Sequence, residues 1–532
     1  MNVGGLTFPK AVDVPAAAAE LVTDLMVRPW GTVSPSVYET GRLVSLAPWL
    51  VGHPERVRFL LNGQQPDGRW GGPEGYALVP TLSATEALLC AMSREEPGGE
   101  SLSRAAGRGL DWLLGWPPQG GAPLFPDMPA IELIVPALVG LVNAHLDTLG
   151  GEGVPHLGGR PRLRLPAGMN DRMLAAVRSR AGSGAELPQK LMHALEVIGP
   201  VAHRIPGVQP TSIGTVGASP AATAAWLNGR ALPDSGTAAR RHLEAVARRY
   251  GGPVPVGLPI TIFERGWVLS WLARAGILFE VPPEMLADLR AAIQPVGTPA
   301  GAGLPPDADT TSVALYALAL LGMPYEPDSL CAFRTDTHFC TWQGEEGASV
   351  SVNAHVLDAF GQYAAVRPEA AERYRPDMDA IGVWLCERQR PEGWWDDRWH
   401  ASPYYATVSC ALALDSFGGA GCASSVRRAV HWVLRTQRPD GSWGRWCGTR
   451  EETAYAMQLL LLSRDNHRED GLVAEVAARG YDYLLRSGEA DDPPLWHDKD
   501  LYLPVAVVEA AILAALHLAQ SSRLVVEAHR QL

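Results

Sequence analysis

Apolar residues recur along most of the chain at the three- and four-residue spacing that places them on one face of an α-helix. Ala/Leu-rich segments with this spacing cover residues 84–92, 131–146, 241–249, 311–321, 354–363, 453–463 and 505–517. Loops rich in glycine and proline separate these segments, and the alternating pattern of β-strands joined by Asn-Gly or Asp-Gly turns is scarce. We therefore predict an all-α protein.

A seven-residue sequence occurs three times, each time after the end of an apolar helix. It reads QQPDGRW at 64–70, QRPEGWW at 389–395 and QRPDGSW at 437–443. The Pro-acid-Gly centre predicts a turn, the glutamine can hydrogen-bond free backbone groups at the helix end, and the tryptophan can anchor against the next helix. Repeated helical hairpins that bury each other's faces predict a closed helical toroid or a solenoid.

Two carboxylic acids, Asp307 and Asp309, lie directly before the apolar helix at 311–321. Helix capping would explain them, since Asp, Ser and Thr are favoured at helix N-termini. A chemical explanation also fits, because crowded carboxylates repel each other's charge and one of them then keeps its proton to a higher pH. A neutral carboxylic acid beside apolar helices can protonate a base as weak as an alkene. The spacing alone leaves both interpretations open.

Taken together, these features resemble the terpene cyclases. The repeats are similar to the QW motifs of terpene and triterpene cyclases, and Asp307-Ala308-Asp309-Thr310-Thr311 resembles the DxDD motif of class II cyclases, which start by protonation. Further segments resemble class II diterpene cyclases of the copalyl diphosphate synthase group, in the same order along the chain. They lie at 128–136, 191–196, 219–224, 259–267, 397–399 and 499–502.

The resemblance implies two α/α-barrel (toroid) domains in the βγ architecture, with the substrate in the cleft between them. Residues 1–25 would begin the β domain, residues 26–259 would form an inserted γ domain, and residues 260–532 would complete the β domain with the acid motif.

The resemblance also assigns roles to the acid motif. Asp309 would be the general acid, Asp307 would tune it, and Asn353 matches an asparagine that hydrogen-bonds the acid. Thr310 stands where the family has a third aspartate, which removes one like charge. We expect activity to survive, because the acid is the middle residue, although the change also allows an inactive relative.

A cation that moves through the substrate needs a dry pocket and aromatic faces. Trp267, Trp395, Trp399 and Tyr404 lie in matching segments and are candidates for the cavity wall. His193 matches a histidine that, with an asparagine, holds the terminating water in plant relatives. Val256 stands where that asparagine would be, which argues against the same pair.

The diphosphate should survive into the product, since neither a DDxxD motif nor the second metal motif of ionising cyclases is present. The resemblance implies that Arg398, Lys499 and Tyr502 bind the diphosphate. One Mg²⁺ is expected, with Glu132 and nearby Asp127 as its protein ligands, because this ion takes one or two carboxylates together with phosphate oxygens.

The predicted function is protonation of geranylgeranyl diphosphate and its cyclisation to a bicyclic, labdane-related diphosphate such as copalyl diphosphate. Farnesyl diphosphate, giving drimenyl diphosphate, is an alternative within the family, as is a squalene-type triterpene cyclase. A noncatalytic toroid that binds a partner would explain the repeats but not the acids. A helical-barrel glycosidase would explain paired carboxylates but not the ordered family segments.

Composition excludes one class of protein and predicts where this protein is located. A net charge of −12 over 532 residues argues against a nucleic-acid binder. The first thirty residues lack a basic start followed by an apolar run, and the seven cysteines form no CxxC pair, so we expect a cytoplasmic protein with reduced thiols. We expect no membrane-spanning helix, because no apolar stretch of about 20 residues runs without interruption. The oligomeric state cannot be inferred.

Overall fold

The computed structural model describes residues 12–116, 125–149, 156–227, 237–345, 347–464, 471–488 and 492–532. Helices dominate these residues, which confirms the all-α prediction. They are α1 (Val14–Val27), α2 (Val37–Leu46), α3 (His53–Asn62), α4 (Leu78–Ser93), α5 (Gly99–Gly115), α6 (Ile131–Leu149), α7 (Arg172–Gly182), α8 (Pro220–Leu227), α9 (Ala238–Arg249), α10 (Thr261–Arg274), α11 (Pro283–Ala292), α12 (Ala308–Leu320), α13 (Val350–Val366), α14 (Ala371–Arg388), α15 (Pro403–Phe417), α16 (Ala423–Thr436), α17 (Arg450–Leu462), α18 (Gly471–Ser487), α19 (Val505–Ser521) and α20 (Arg523–His529).

Two short antiparallel ladders complete the secondary structure of the described residues. Strand β1 (Thr298–Pro299) pairs with β2 (Pro306–Asp307), and β3 (Trp496–His497) pairs with β4 (Leu501–Tyr502). The first ladder leads into α12, and the second forms a hairpin whose turn consists of residues 498–500. Both ladders lie at the functional site described below.

The C-terminal half forms a closed ring of helices. Helices α10, α12, α13, α15, α17 and α19 each pack against the next, and α19 returns to α10. A second layer surrounds this ring and includes α1, α11, α14, α16 and α18. One hydrophobic core runs through both layers and includes Val14, Ala18 and Val22 of α1. This is the predicted α/α-barrel.

A second ring lies in the N-terminal half. Its inner members are α2, α4, α6, the 3-10 segment Gln189–Ile198 and α8, which packs back on α2, with α3, α5, α7 and α9 outside. Its core is separate from that of the C-terminal ring. The exact domain division at 25/26 and 259/260 stays a prediction, and residues 1–11 lie outside the described part.

The three repeats adopt one geometry. In each, the glutamine Nε2 donates to the carbonyl of the repeat's own glycine and to a helix carbonyl at 2.8–2.9 Å. The indole Nε1 donates to a carbonyl of the preceding helix at 2.6–2.8 Å. The tryptophans Trp70, Trp395 and Trp443 are fully buried. The glycines have φ between +89° and +111°, and a Cβ there would lie 2.4–2.5 Å from a carbonyl oxygen of the neighbouring helix.

Two segments have the length and apolarity that a membrane crossing requires, contrary to expectation. They are Glu74–Ser93 and Ile131–Leu149, found among the described residues by length and composition alone. About 89% of the most apolar window of the first and 61% of that of the second is buried inside the protein. Both segments contribute to the inner ring of the N-terminal half.

Candidate active site

The acid motif forms the N-terminus of α12. Asp307 is the N-cap residue, and its Oδ1 accepts a hydrogen bond of 2.6 Å from the backbone N–H of Thr310. The Thr310 side chain also acts to lower the pKa of this carboxyl group. Burial raises the pKa of Asp307 to about 8 against these hydrogen bonds, and the nearby charge of Asp309 adds to the rise. Capping and a retained proton therefore occur together in one residue.

The second acid, Asp309, lies in the first turn of α12 and is held by a histidine. Its Oδ1 is 2.6 Å from Nδ1 of His355, which projects from α13, the next helix of the inner ring. The side chains of Asp309 and His355 are 13% and 9% exposed, respectively, so both reach an accessible surface inside the ring. Within the described residues no donor contacts Oδ2 of Asp309, which leaves that oxygen free to carry a proton.

The predicted hydrogen bond between Asn353 and the acid is wrong. The side-chain oxygen of Asn353 accepts from the backbone N–H of Phe339 at 2.9 Å. Its amide nitrogen donates to the carbonyls of Phe339 and Ser349 at 3.0 and 2.8 Å. Asn353 is fully buried and fastens the preceding loop to the start of α13. His355, two residues further on, makes the contact with the acid instead.

An aromatic cluster adjoins the acid. The ring of Trp267 lies 5.5 Å from that of His355, centre to centre, and its Nε1 donates to the Tyr405 hydroxyl at 3.1 Å. Phe263 stacks on Trp267 at 4.2 Å, and Tyr405 lies 4.7 Å from Trp496. Burial and then the charge of Asp309 raise the pKa of Tyr405 well above its ordinary value, and the Tyr405 ring lies 6.2 Å from that of His355.

One predicted wall residue lies elsewhere, and another lies near the acid motif. Trp395 is the tryptophan of the second repeat and donates to the Leu385 carbonyl inside the helical core. Its assignment to the wall is therefore wrong. Tyr404 packs on Trp432 at 4.5 Å, and its place in the wall stays a prediction. The half-buried Trp399 donates to the hydroxyl of Thr341, whose carbonyl accepts from the N–H of Ala308 at the start of α12.

The turn of the β3–β4 hairpin enters the N-terminal ring, and Lys499 is enclosed there. Its ammonium group is fully buried, pairs with Glu39 and Glu196, and donates to the Ser219 hydroxyl at 2.9 Å. The predicted role of Lys499 in diphosphate binding is therefore wrong, since its donors are committed to buried protein oxygens. Asp500 accepts from the backbone N–H groups of Val37 and Tyr38 at 3.1 and 3.2 Å and fixes the other side of the turn.

Tyr502 and His193 both lie on the side of the site that is formed by the β3–β4 hairpin. Tyr502 pairs with Trp496 across the ladder. Burial and the charges of Asp498 and Asp309 raise the pKa of Tyr502 well above its usual value. The predicted contact of Tyr502 with a diphosphate stays a prediction. His193 lies against Asp498, with Nε2 2.9 Å from Oδ1.

Arg398 joins the two rings at a second position. Its Nε is 3.2 Å from Oδ2 of Asp127, its Nη1 contacts Glu345, and its guanidinium lies 5.1 Å from the ring centre of Trp399. Asp127 precedes α6 and its side chain is 66% exposed. Glu132, the second residue of α6, is also exposed, and within the described residues no hydrogen bond or ion pair engages it. The structure thus groups a cation and a carboxylate that the sequence places 271 residues apart.

Sequence reasoning missed His355, Tyr405, Trp496 and Asp498. Two of them directly adjoin predicted residues, because Tyr405 follows Tyr404 and Asp498 precedes Lys499. The register of the helix or turn would have shown which member of each pair faces the site. His355 and Trp496 carry no local signal that distinguishes them from core residues.

Comparison with known proteins places this geometry in a family. The model of the squalene-hopene cyclase C-terminal domain matches residues 344–497. An ent-copalyl diphosphate synthase of a Streptomyces species (strain KO-3988) is 42% identical over 507 residues, covering 94% of this chain and 95% of that protein. The labda-7,13-dienyl diphosphate synthase of Streptomyces clavuligerus is 41% identical, covering 97% and 95%.

A solved structure shows the same fold along almost the whole chain. The ent-copalyl diphosphate synthase from Streptomyces platensis superposes with a TM-score of 0.90 at 45% identity, covering 96% of this chain and all of that one. Identity of this extent, together with the acid pair on an aromatic-lined site, identifies the chain as a member of the class II diterpene cyclases.

Proposed function

We propose that this enzyme protonates the terminal alkene of geranylgeranyl diphosphate and cyclises it to a bicyclic labdane-type diphosphate. The observation that carries the proposal is Asp309, held through one oxygen by His355, whose ring lies 5.5 Å from that of Trp267 and 6.2 Å from that of Tyr405. The relatives named for copalyl and labdadienyl diphosphate synthesis support the class of substrate and product.

The proton is delivered from a defined atom. Because Nδ1–H of His355 donates to Oδ1 of Asp309, the transferable proton belongs on Oδ2. The π electrons of the terminal alkene take this proton, and the new C–H bond leaves a tertiary cation that the next double bonds attack in turn. The faces of Trp267, Tyr405 and Trp496 can stabilise positive charge in a site that excludes water.

The retained diphosphate requires positive charge at the other end of the site. Arg398 offers a planar guanidinium suited to phosphate oxygens. Asp127 and Glu132 are the residues that would hold Mg²⁺, since two exposed carboxylates leave room for the waters and phosphate oxygens that this ion prefers. When bound, the ion would neutralise the diphosphate, while Arg398 orients it.

Incubation with geranylgeranyl and farnesyl diphosphate, in parallel, tests the proposal. We expect a cyclic C20 diphosphate, detected intact by mass spectrometry and identified after dephosphorylation. Turnover of farnesyl diphosphate to a drimane skeleton at higher kcat/KM would replace the proposed substrate. Absence of any cyclic product from either substrate would overturn the proposal.

The variant Asp309→Asn tests the acid itself. An amide of the same shape has no acidic proton, so we expect cyclisation to fall by about 10³-fold or more, while substrate protection against thermal unfolding persists. More than a few per cent of wild-type turnover would remove Asp309 as the acid.

A further inference from the structure

His193 is bound at both ring nitrogens by groups that only accept hydrogen bonds. Nδ1 is 2.6 Å from the carbonyl oxygen of Gly217, and Nε2 is 2.9 Å from Oδ1 of Asp498. Both nitrogens must therefore carry hydrogen, which makes the ring an imidazolium. Burial opposes this charge, but Asp498 outweighs it and raises the pKa of His193. An imidazolium has no lone pair with which to accept a proton.

Asp498 has the free oxygen that His193 lacks. Its Oδ1 accepts from His193 and from the backbone N–H of Lys499 at 2.7 Å. Within the described residues no donor reaches Oδ2. The Asp498 side chain is 21% exposed, although His497 and Lys499 on either side are 5% and 1% exposed. Despite burial, the charge of His193 lowers the pKa of Asp498, so the carboxylate is ionised at neutral pH.

The hairpin that carries Asp498 adjoins the aromatic cluster beside the general acid, because the ring of its Trp496 lies 6.3 Å from that of Trp267, centre to centre. Tyr502 pairs with Trp496 across the ladder, and after burial the charges of Asp498 and Asp309 raise the pKa of its hydroxyl. Opposite the carboxylate lies Gly257, where an added Cβ would be 3.8 Å from Oδ2 of Asp498 and 3.6 Å from Cε1 of His193. The neighbouring Val256 is buried and apolar, so it supplies no polar group there.

On the basis of the proposed function, we propose that Asp498 is the base that ends the cyclisation, with His193 as its positioning partner. A C–H bond next to the final cationic carbon breaks, its electron pair becomes the π bond of the product alkene, and the proton passes to Oδ2. Asp309 has given one proton and Asp498 has taken one, so the substrate is isomerised without net change. Exchange with water then returns both carboxyl groups to their starting states.

The test is the product of Asp498→Asn formed from geranylgeranyl diphosphate in H₂¹⁸O. The asparagine keeps the shape of the carboxylate but cannot take the proton, so the alkene fraction should fall by about 10²-fold. Hydroxylated diphosphate labelled with ¹⁸O, or alkenes with the double bond elsewhere, should replace it. Asp500→Asn changes the same turn on its buried side and should keep the wild-type product.

Asp498→Glu keeps the carboxylate and should restore part of the alkene fraction, which a merely structural role would not predict. An unchanged alkene product from Asp498→Asn at near wild-type rate would overturn the inference, as would an equal change in Asp500→Asn. If Asp498→Asn does not fold, a Glu variant that folds and yields only hydroxylated product would also overturn it. Absence of a cyclic diphosphate from the wild type would instead refute the proposed function.

Discussion

Asp307 and Asp309 are separated by one residue, but they have different surroundings. Asp307 is 8% exposed and caps α12, whereas the side chain of Asp309 is held by His355 and keeps one oxygen free. Burial raises the pKa of Asp307 to about 8, so the pair retains a proton at neutral pH. In the proposed function, Asp307 would serve as a proton reserve and Asp309 would be the acid that meets the alkene.

The raised pKa of Asp307 makes stability depend on pH with a definite sign. Between about pH 4 and pH 8 the unfolded aspartate is ionised and the folded one is protonated, so the folded state binds more protons and this group's contribution falls as pH rises. Asp307→Asn removes that dependence. We expect the variant to gain stability relative to the wild type between pH 5 and pH 8 in denaturant titrations. A constant difference would contradict the raised pKa.

His355 positions the acid, and replacing it should affect the chemical step. We expect His355→Phe to lower kcat by about 10²-fold with KM changed little, because the hydrogen bond to Asp309 matters when the proton moves. Asn353→Ala is the matched control on the same helix. It should lower the free energy of unfolding by about 2 kcal/mol, since it leaves buried backbone groups of Phe339 unpaired. A kcat loss in the Asn353 variant alone would reverse these roles.

At the scale of single residues, the sequence predicts which residues have a chemical role better than it predicts their contacts. The acid pair is visible because its spacing lies within one helical turn. The partner of Asp309 lies 46 residues away on another helix, and nothing local distinguishes His355 from Asn353. Lys499 is a further example, because a basic residue in a polar turn is ordinarily exposed, whereas here the turn enters the other ring.

At the scale of single elements, the β3–β4 hairpin joins the two rings. Its turn contributes three successive charged side chains, and each binds a different group of the N-terminal half: Asp498 binds His193, Lys499 binds Glu39 and Glu196, and Asp500 binds the start of α2. Burial and the cation of Lys499 act in opposite directions on Glu39, and burial prevails, so the pKa of Glu39 rises to about 7. The position of the hairpin therefore depends on each of its three charged side chains keeping its partner in the N-terminal half.

We expect Lys499→Met to destabilise the fold by about 3–5 kcal/mol, because it leaves two carboxylates buried without their cation. Thermal unfolding and denaturant titration measure this loss. Arg398→Ala is the comparison, because it removes a cation shared by the exposed Asp127 and the mostly buried Glu345, and it should cost less stability than Lys499→Met while raising KM. A stable Lys499→Met protein with raised KM would restore the diphosphate role of Lys499.

The repeats show what is predictable at this scale. Proline, glycine, glutamine and tryptophan at fixed spacing determine the turn, the helix-end hydrogen bonds and the anchor, and all three copies form them. The same local regularity misled the assignment of Trp395, since membership of a repeat fixes its indole in the helical core. Local motifs therefore predict hairpins well, whereas the direction of a side chain relative to the cleft depends on how the hairpins close into rings.

At the scale of the whole molecule, the residues proposed for protonation and those proposed for diphosphate binding belong to different contacts between the two rings. The acid pair, the aromatic cluster and the hairpin form one end of the site. Arg398 reaches Asp127 across the second contact, near the exposed Glu132. Trp399 lies between these two groups, because its ring contacts the Arg398 guanidinium and its Nε1 donates to Thr341, whose carbonyl accepts from the N–H of Ala308 at the start of α12.

We predict that the product keeps its diphosphate and that its binding depends on Mg²⁺, because Arg398 and the exposed carboxylates Asp127 and Glu132 suit a magnesium diphosphate. We expect EDTA to suppress turnover and added Mg²⁺ to restore it. The double variant Asp127→Asn, Glu132→Gln should need more than about tenfold higher Mg²⁺ for half-maximal activity, because two of the ion's carboxylate ligands are lost. Arg398→Ala should raise KM for the diphosphate but not for the corresponding alcohol.

Product analysis before phosphatase treatment, with inorganic pyrophosphate measured in parallel, checks the retained diphosphate. Release of one pyrophosphate per turnover, or free hydrocarbon without phosphatase, would show ionisation of the substrate and contradict the assignment of Asp309 as the initiating acid. Full activity in EDTA, with an unchanged Mg²⁺ requirement in the double variant, would remove the ion and leave Arg398 as the main cation. The acid end is not altered by these changes, so the small turnover of the alcohol should be the same in Arg398→Ala as in the wild type.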